Sequence, residues 1–210
     1  MKKIVFCDFD GTITAVETFA GMLKEFAPQL SAEIMPLLYD KKLTLREGVR
    51  QILESIPSTM YDGIIDYAAS KPIREGLPEL LDFLDIYQVP FVIISGGIYD
   101  MIETVLKREN LLPRIKKIIA VKVDTSKPFL QINSDYEGDT ELVAKVKAME
   151  QFLAEQTIAI GDSVTDINMA LKADLIFARD RLIDYLKAEN KPYIPWHNFH
   201  DIREYLSLIF

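Results

Sequence analysis

Apolar positions along this chain of 210 residues fall into two patterns. Short, continuous, β-branched runs bounded by turn residues occupy 3–7, 90–94, 157–160 and 175–178, with a fifth at 117–123. Such runs read as strands of a parallel sheet buried on both faces. Between them, 78–87, 99–110, 142–154 and 166–172 carry the spacing of amphipathic helices. Strand and helix in alternation predict an α/β fold with a doubly wound parallel sheet, in which ligands bind beyond the carboxyl ends of the strands.

The stretch 16–71 breaks this alternation. It has no strand pattern, and its periodic sets Phe19/Met22/Leu23/Phe26 and Leu45/Val49/Ile52/Leu53 predict several short helices, punctuated by Pro28, Pro36 and Pro57. An all-helical insert after the first strand would overhang that strand's carboxyl end as a cap, leaving 1–15 and 72–210 as the sheet-bearing core. A small hairpin is expected at 129–136 and a closing helix at 199–209.

Each strong strand run ends in a polar or glycine-bearing signal. Asp8 and Asp10 stand two apart after the first strand, and on an extended chain their carboxylates share one side at the ligand-binding edge. A turn or N-cap accounts for one such aspartate. Two acids around Phe9 and beside Gly11 point instead to a metal or catalytic site, because neighbouring carboxylates repel unless a cation or proton is shared. Gly161-Asp162-Ser163-Val164-Thr165-Asp166 repeats the pattern and supplies the third carboxylate that a hard divalent ion such as Mg²⁺ can use. Ser95-Gly96-Gly97, after another strand and before a helix, offers a hydroxyl and free amides to an anion. Lys145 reads by itself as an ordinary surface lysine, with Lys147 competing for any role, and His197 and His200 read as surface or packing residues.

Composition narrows the partners. The formal charge of −8 and the isoelectric point near 4.9 disfavour nucleic acid and anionic membrane, since counterion release needs clustered basic side chains. A small phosphorylated metabolite stays open if a metal, a cation or backbone amides offset the acidity. The single cysteine, Cys7, excludes an intrachain disulfide and a multi-thiolate zinc site. The apolar run behind Lys2-Lys3 stops at Asp8, which does not fit a cleavable export signal, and no stretch nears the ~20 apolar residues of a membrane span. A soluble cytoplasmic protein is expected.

In this order, the four elements resemble the haloacid dehalogenase superfamily of phosphohydrolases: Asp8-Phe9-Asp10-Gly11-Thr12, Ser95 after the second strand, Lys145, and Gly161-Asp162 through Asp166. The resemblance implies that Asp8 is a nucleophile forming an aspartyl-phosphate and Asp10 a general acid, then base. It also implies Mg²⁺ held by the Asp8 carboxylate, the Asp10 backbone carbonyl and Asp162. Ser95, the Gly96 amide and Lys145 would bind the phosphoryl group, with Asp166 orienting the site. The helical insert is similar to the cap of the phosphoserine phosphatase-like branch, where Glu17 would read a substrate amine, although no cap arginine matches cleanly; Arg46 and Arg50 lie near the expected place.

The phrases Arg46-Glu47-Gly48-Val49, Ile73-Arg74-Glu75-Gly76, Ile94-Ser95-Gly96-Gly97 and Phe177-Ala178-Arg179-Asp180 resemble more closely the phosphatase family of methionine salvage. That resemblance implies an enol phosphate as substrate, with phosphoserine as the alternative. Members of that family carry a cysteine-rich insert before the lysine, where this chain has Asp139-Thr140-Glu141-Leu142-Val143-Ala144. A non-catalytic phosphate-binding module, the reading from another class, predicts a degraded motif, whereas all four are intact.

Overall fold

The computed structural model describes residues 2–210. Strand β1 (Lys3–Cys7) is followed by helices α1 (Phe19–Phe26), α2 (Pro28–Tyr39), α3 (Leu45–Leu53) and α4 (Tyr61–Ala69) with no strand among them. Then come α5 (Leu77–Ile86), β2 (Phe91–Ile98), α6 (Tyr99–Arg108), β3 (Lys117–Asp124), β4 (Gln131–Asn133) and α7 (Lys145–Met149). The chain closes with β5 (Gln156–Gly161), α8 (Ile167–Lys172), β6 (Leu175–Ala178), α9 (Asp180–Ala188), β7 (Ile194–Pro195) and α10 (Phe199–Ser207).

The strands form one sheet in the order β4-β3-β2-β1-β5-β6-β7, parallel except for β4. Order reverses on either side of β1, which makes its carboxyl end the switch point where open α/β sheets bind ligands. The pleat divides β1 between two cores. Ile4 and Phe6 join Val92 and Ile94 on one face, while Val5 and Cys7 join Phe91 and Ile93 on the other. Buried Met22, Leu23, Ile52, Leu53 and Ile64 of the helical stretch extend the first core, and α5, α6 and α10 cover the second.

The strands follow the apolar runs closely, and the differences have local causes. β2 does not stop at Ile94: it runs through Ser95-Gly96-Gly97 to Ile98, with its register against β3 shifted over that stretch. The expected hairpin is instead one short strand, β4, paired antiparallel with β3. Of the helix expected at 142–154, only Lys145–Met149 forms; Leu142 and Val143 are buried, but the chain enters the helix from an extended Ala144. Pro36 lies inside α2 with its ring exposed, where it forgoes only the ladder bond to the fourth residue before it.

Polar bonds fasten the helical stretch to the sheet. Glu137 takes Arg46 Nε at 2.5 Å and Arg50 Nη2 at 2.8 Å, while Arg50 Nη1 donates to the Ile132 carbonyl at 3.0 Å. Tyr61 Oη donates to Asp100 at 2.6 Å, and backbone bonds run from Leu130 to Ile56 and from Ser58 to Pro128. No helix among the described residues is long and apolar enough to cross a membrane. Replacing Glu137 by Ala removes the acceptor shared by both arginines. It should lower stability by about 1 kcal/mol, a modest figure because the three side chains keep partial solvent access, as measured by urea unfolding.

Candidate active site

Asp8 leaves the carboxyl end of β1 with its amide bonded to the Ile160 carbonyl at 3.0 Å, so the β1–β5 pairing fixes its backbone. Its side chain is buried beside the first residue of α7: Lys145 Nζ lies 2.5 Å from Asp8 Oδ1 and 2.5 Å from Asp166 Oδ1. The other Asp166 oxygen, Oδ2, accepts from the Asp162 and Ser163 amides at 2.9 and 3.0 Å, which pins the turn after β5. Asp162 Oδ1 accepts from the Thr12 hydroxyl at 3.0 Å.

Two glycines make this crowding possible. A Cβ at Gly161 would fall 2.6 Å from Asp166 Cγ. One at Gly11, whose φ is +77°, would fall 2.6 Å from Asp162 Oδ2. Asp8, Asp162 and Asp166 each offer a carboxylate oxygen within 4.8 Å of the others. An all-oxygen, anionic set of this kind suits a hard divalent cation.

Asp10 has partners of its own. The chain turns after Asp8, and Asp10 Oδ1 accepts from the Thr18 and Phe19 amides at 2.6 and 3.0 Å, at the start of α1. Asp10 lies outside the three-carboxylate group, in which Asp166 joins Asp8 and Asp162. Ser95 is buried with its Oγ accepting from the Gly97 amide at 3.1 Å, and a side chain at Gly96 would project into open space. The Phe19 ring lies 3.6 Å from where a Gly97 Cβ would sit, so α1 overhangs this bend. Glu17 is exposed, close enough for its charge to act on Asp10. Lys147 is exposed and approaches only the Glu137 carbonyl, at 3.5 Å, which leaves Lys145 as the lysine at Asp8. Thr12 and Arg74 are given no role from sequence, although both stand in phrases that carry the family resemblance; Thr12 bonds Asp162, and Arg74 bonds the carbonyls of the turn behind Asp10.

Burial sets the electrostatics. It pushes the Asp8 carboxyl well above the usual range, aided by the Asp166 charge and opposed by Lys145. Asp162 is pushed up to about 7 by burial and then by Asp166. Asp10 rises to about 6, again through burial, with the Thr18 and Phe19 amides pulling the other way. Burial works against the Lys145 ammonium, but the Asp166 and Asp8 carboxylates outweigh it and hold its pKa above the ordinary lysine value. The neighbouring Cys7 thiol is fully buried, and burial followed by the Asp8 charge raises its pKa well above normal.

A family model described as haloacid dehalogenase-like hydrolase matches residues 5–171. The chain belongs to that family. Among its curated relatives, a 2-hydroxy-3-keto-5-methylthiopentenyl-1-phosphate phosphatase of Microcystis aeruginosa is 67% identical over 208 residues, covering 99% of each chain. A protein of the same name from Bacillus cytotoxicus is 32% identical over 219 residues, covering 99% of this chain and 97% of its own. In solved structures the same hydrolase fold recurs in a phospho-aspartyl intermediate analogue of phosphoserine phosphatase, at TM-score 0.70 and 21% identity over 97% of this chain and 98% of that one. A phosphoserine phosphohydrolase-like protein from Francisella tularensis also gives 0.70, at 24% identity with full coverage of both chains. For this hydrolase Asp10 and Asp162 imply a pH-dependent stability. Their folded pKa values lie above the unfolded ones, so the stability they give is present when protonated and is lost as pH rises through about 6 to 7. In EDTA the melting temperature should fall by roughly 4 °C or more from pH 5 to pH 8, at about 2–4 °C per kcal/mol. Excess Mg²⁺, or Asp162→Asn, should flatten that fall; a flat profile in EDTA contradicts the expectation.

Proposed function

We propose that the chain hydrolyses the phosphate monoester of 2-hydroxy-3-keto-5-methylthiopentenyl-1-phosphate, with Mg²⁺ as cofactor and an aspartyl-phosphate on Asp8 as intermediate. The observation that carries the substrate is the 67% identity to the Microcystis aeruginosa phosphatase along nearly the whole of both chains. The chemistry rests on the buried Asp8–Lys145–Asp166 cluster at the switch point of the sheet. Residues 16–71 are the cap and the remainder is the catalytic core, a division supported by the strand-free run of α1 to α4. An acidic chain with one buried thiol suits the cytoplasm.

An Asp8 oxygen attacks phosphorus, forming one P–O bond as the bond to the enol oxygen breaks. Asp10 gives its proton to that leaving oxygen and then takes one from the water that attacks the phosphorus of the aspartyl-phosphate, releasing inorganic phosphate and restoring Asp8. A pKa of about 6 suits a group that must both donate and accept near neutrality. With Oδ1 held by the Thr18 and Phe19 amides, Asp10 has Oδ2 left for the transfer. Lys145, the Ser95 hydroxyl and the Gly96 amide hold the phosphoryl oxygens, and Asp166 aims Lys145 while fixing the Asp162 turn. Bound Mg²⁺, held by the Asp8 carboxylate, the Asp10 backbone carbonyl and Asp162, would offset the repulsion between carboxylate and phosphate dianion.

Phosphoserine is the second candidate, favoured by the fold of the phosphoserine phosphatases and by Glu17 beside Asp10 as a partner for an amine. Against it, both arginines of the cap bond to Glu137, so neither is a free cation for an α-carboxylate. Phosphate release from p-nitrophenyl phosphate, the enol phosphate and phosphoserine, each with and without EDTA, tests these choices. The expected result is metal-dependent release with the enol phosphate preferred. Asp8→Asn should lose at least about a thousandfold in kcat and Asp10→Asn about a hundredfold or more. Release at the full rate in EDTA, or by Asp8→Asn, overturns the mechanism, whereas preference for phosphoserine overturns only the substrate.

A further inference from the structure

Arg74 lies three residues before the first residue of α5 and reaches back to the turn that follows Asp10. Its Nη2 donates to the Gly11 carbonyl at 2.6 Å and to the Thr14 carbonyl at 3.4 Å, and its Nε donates to the Thr12 carbonyl at 3.0 Å. Three carbonyls of one turn thus converge on a single guanidinium, a fork that a point-like ammonium cannot reproduce. The same guanidinium lies 5.5 Å from the ring of buried Trp196, and that of Arg179 lies 5.2 Å from it. Packing against the indole limits where the guanidinium can go.

The turn held in this way is the wall on which Asp162 rests. Thr12, between two of the bonded carbonyls, donates its hydroxyl to Asp162 Oδ1, and Gly11 stands where only a hydrogen fits against Asp162 Oδ2. A peptide plane fixed through its carbonyl fixes the Cα beyond it, and with it the direction of the Thr12 side chain. We propose that Arg74 is a positioning residue for the metal site: acting through Thr12, it sets the orientation in which Asp162 meets a divalent cation. This rests on the assignment of Asp162 as a Mg²⁺ ligand.

The turn has a second attachment that makes the idea testable. Backbone bonds from Arg74 to Ile13 and from Ala15 to Pro72 hold it to the following segment without help from the side chain. Arg74→Ala should therefore fold, with only the three carbonyls released. The experiment is calorimetric titration of the metal-free protein with Mg²⁺ in the absence of substrate, on the wild type, Arg74→Ala, Arg74→Lys, Thr12→Val and the Arg74→Ala/Thr12→Val double variant. Outer partners of metal ligands typically govern about 10- to 100-fold in affinity. Arg74→Ala should bind Mg²⁺ at least about tenfold more weakly, with Arg74→Lys between it and the wild type. The double variant should be no weaker than the weaker single one, because both substitutions cut one chain of contacts. At saturating Mg²⁺ the KM for p-nitrophenyl phosphate should stay within about twofold, which a general loosening of the site would not allow. Wild-type affinity in Arg74→Ala, or additive losses in the double variant, overturns the role of Arg74. A wild type that binds no Mg²⁺ overturns the metal site itself, and the proposal with it.

Discussion

One buried ammonium holds the centre of this molecule together. Asp8 and Asp166 lie far apart in the sequence, and without a shared cation their burial would cost several kcal/mol each. Lys145 lies 2.5 Å from both. To bring the three together, β1 must lie beside β5, the turn after β5 must close without a side chain at Gly161, and α7 must start at Lys145 itself. The interrupted helix is part of that arrangement: an extended Ala144 sets the first residue of α7 under β1's carboxyl end. The charge balance is incomplete, because two carboxylates share one ammonium while Asp162 stands beside them, which leaves a net anionic site suited to a divalent ion.

What the chain's pattern could reveal depended on whether a feature was local. The strands were legible because runs such as Lys3–Cys7 are apolar on both faces, and Asp8 and Asp162 because acids directly after buried strands sit at a sheet's binding edge; Asp166, further along the turn after β5, came with the Gly161–Asp166 phrase. Lys145 was legible only through the family resemblance: its burial comes from two carboxylates distant in sequence, and nothing in its neighbours announces it. The direction of the Asp10 carboxylate depends on where α1 begins in space, which spacing along β1 does not contain. Helix α9 went unread although Leu182, Ile183, Tyr185 and Leu186 give it an amphipathic spacing, and strand β7 because a two-residue strand leaves no periodicity.

The acidic surplus has a structural distribution that composition hides. Some acids fill the site, and others tie elements together: Glu137 joins α3 to the segment after β4, and Asp100 joins α6 to Tyr61 at the start of α4. Both attachments fall on the same core face that α1 to α4 extend with apolar side chains. The helical stretch is thus bonded at its rim and packed at its centre, and α1 carries Phe19 to the edge of the Ser95-Gly96-Gly97 bend.

Cys7, one residue before Asp8, gives the site a chemical character of its own. Oxidants and alkylating agents attack thiolates, and the thiol here is sealed inside the sheet and held protonated by burial and by the neighbouring carboxylate. The carboxylate cluster thus has beside it the chain's only thiol in an unreactive state. Peroxide, which silences enzymes with exposed cysteine nucleophiles, finds no thiolate at this centre.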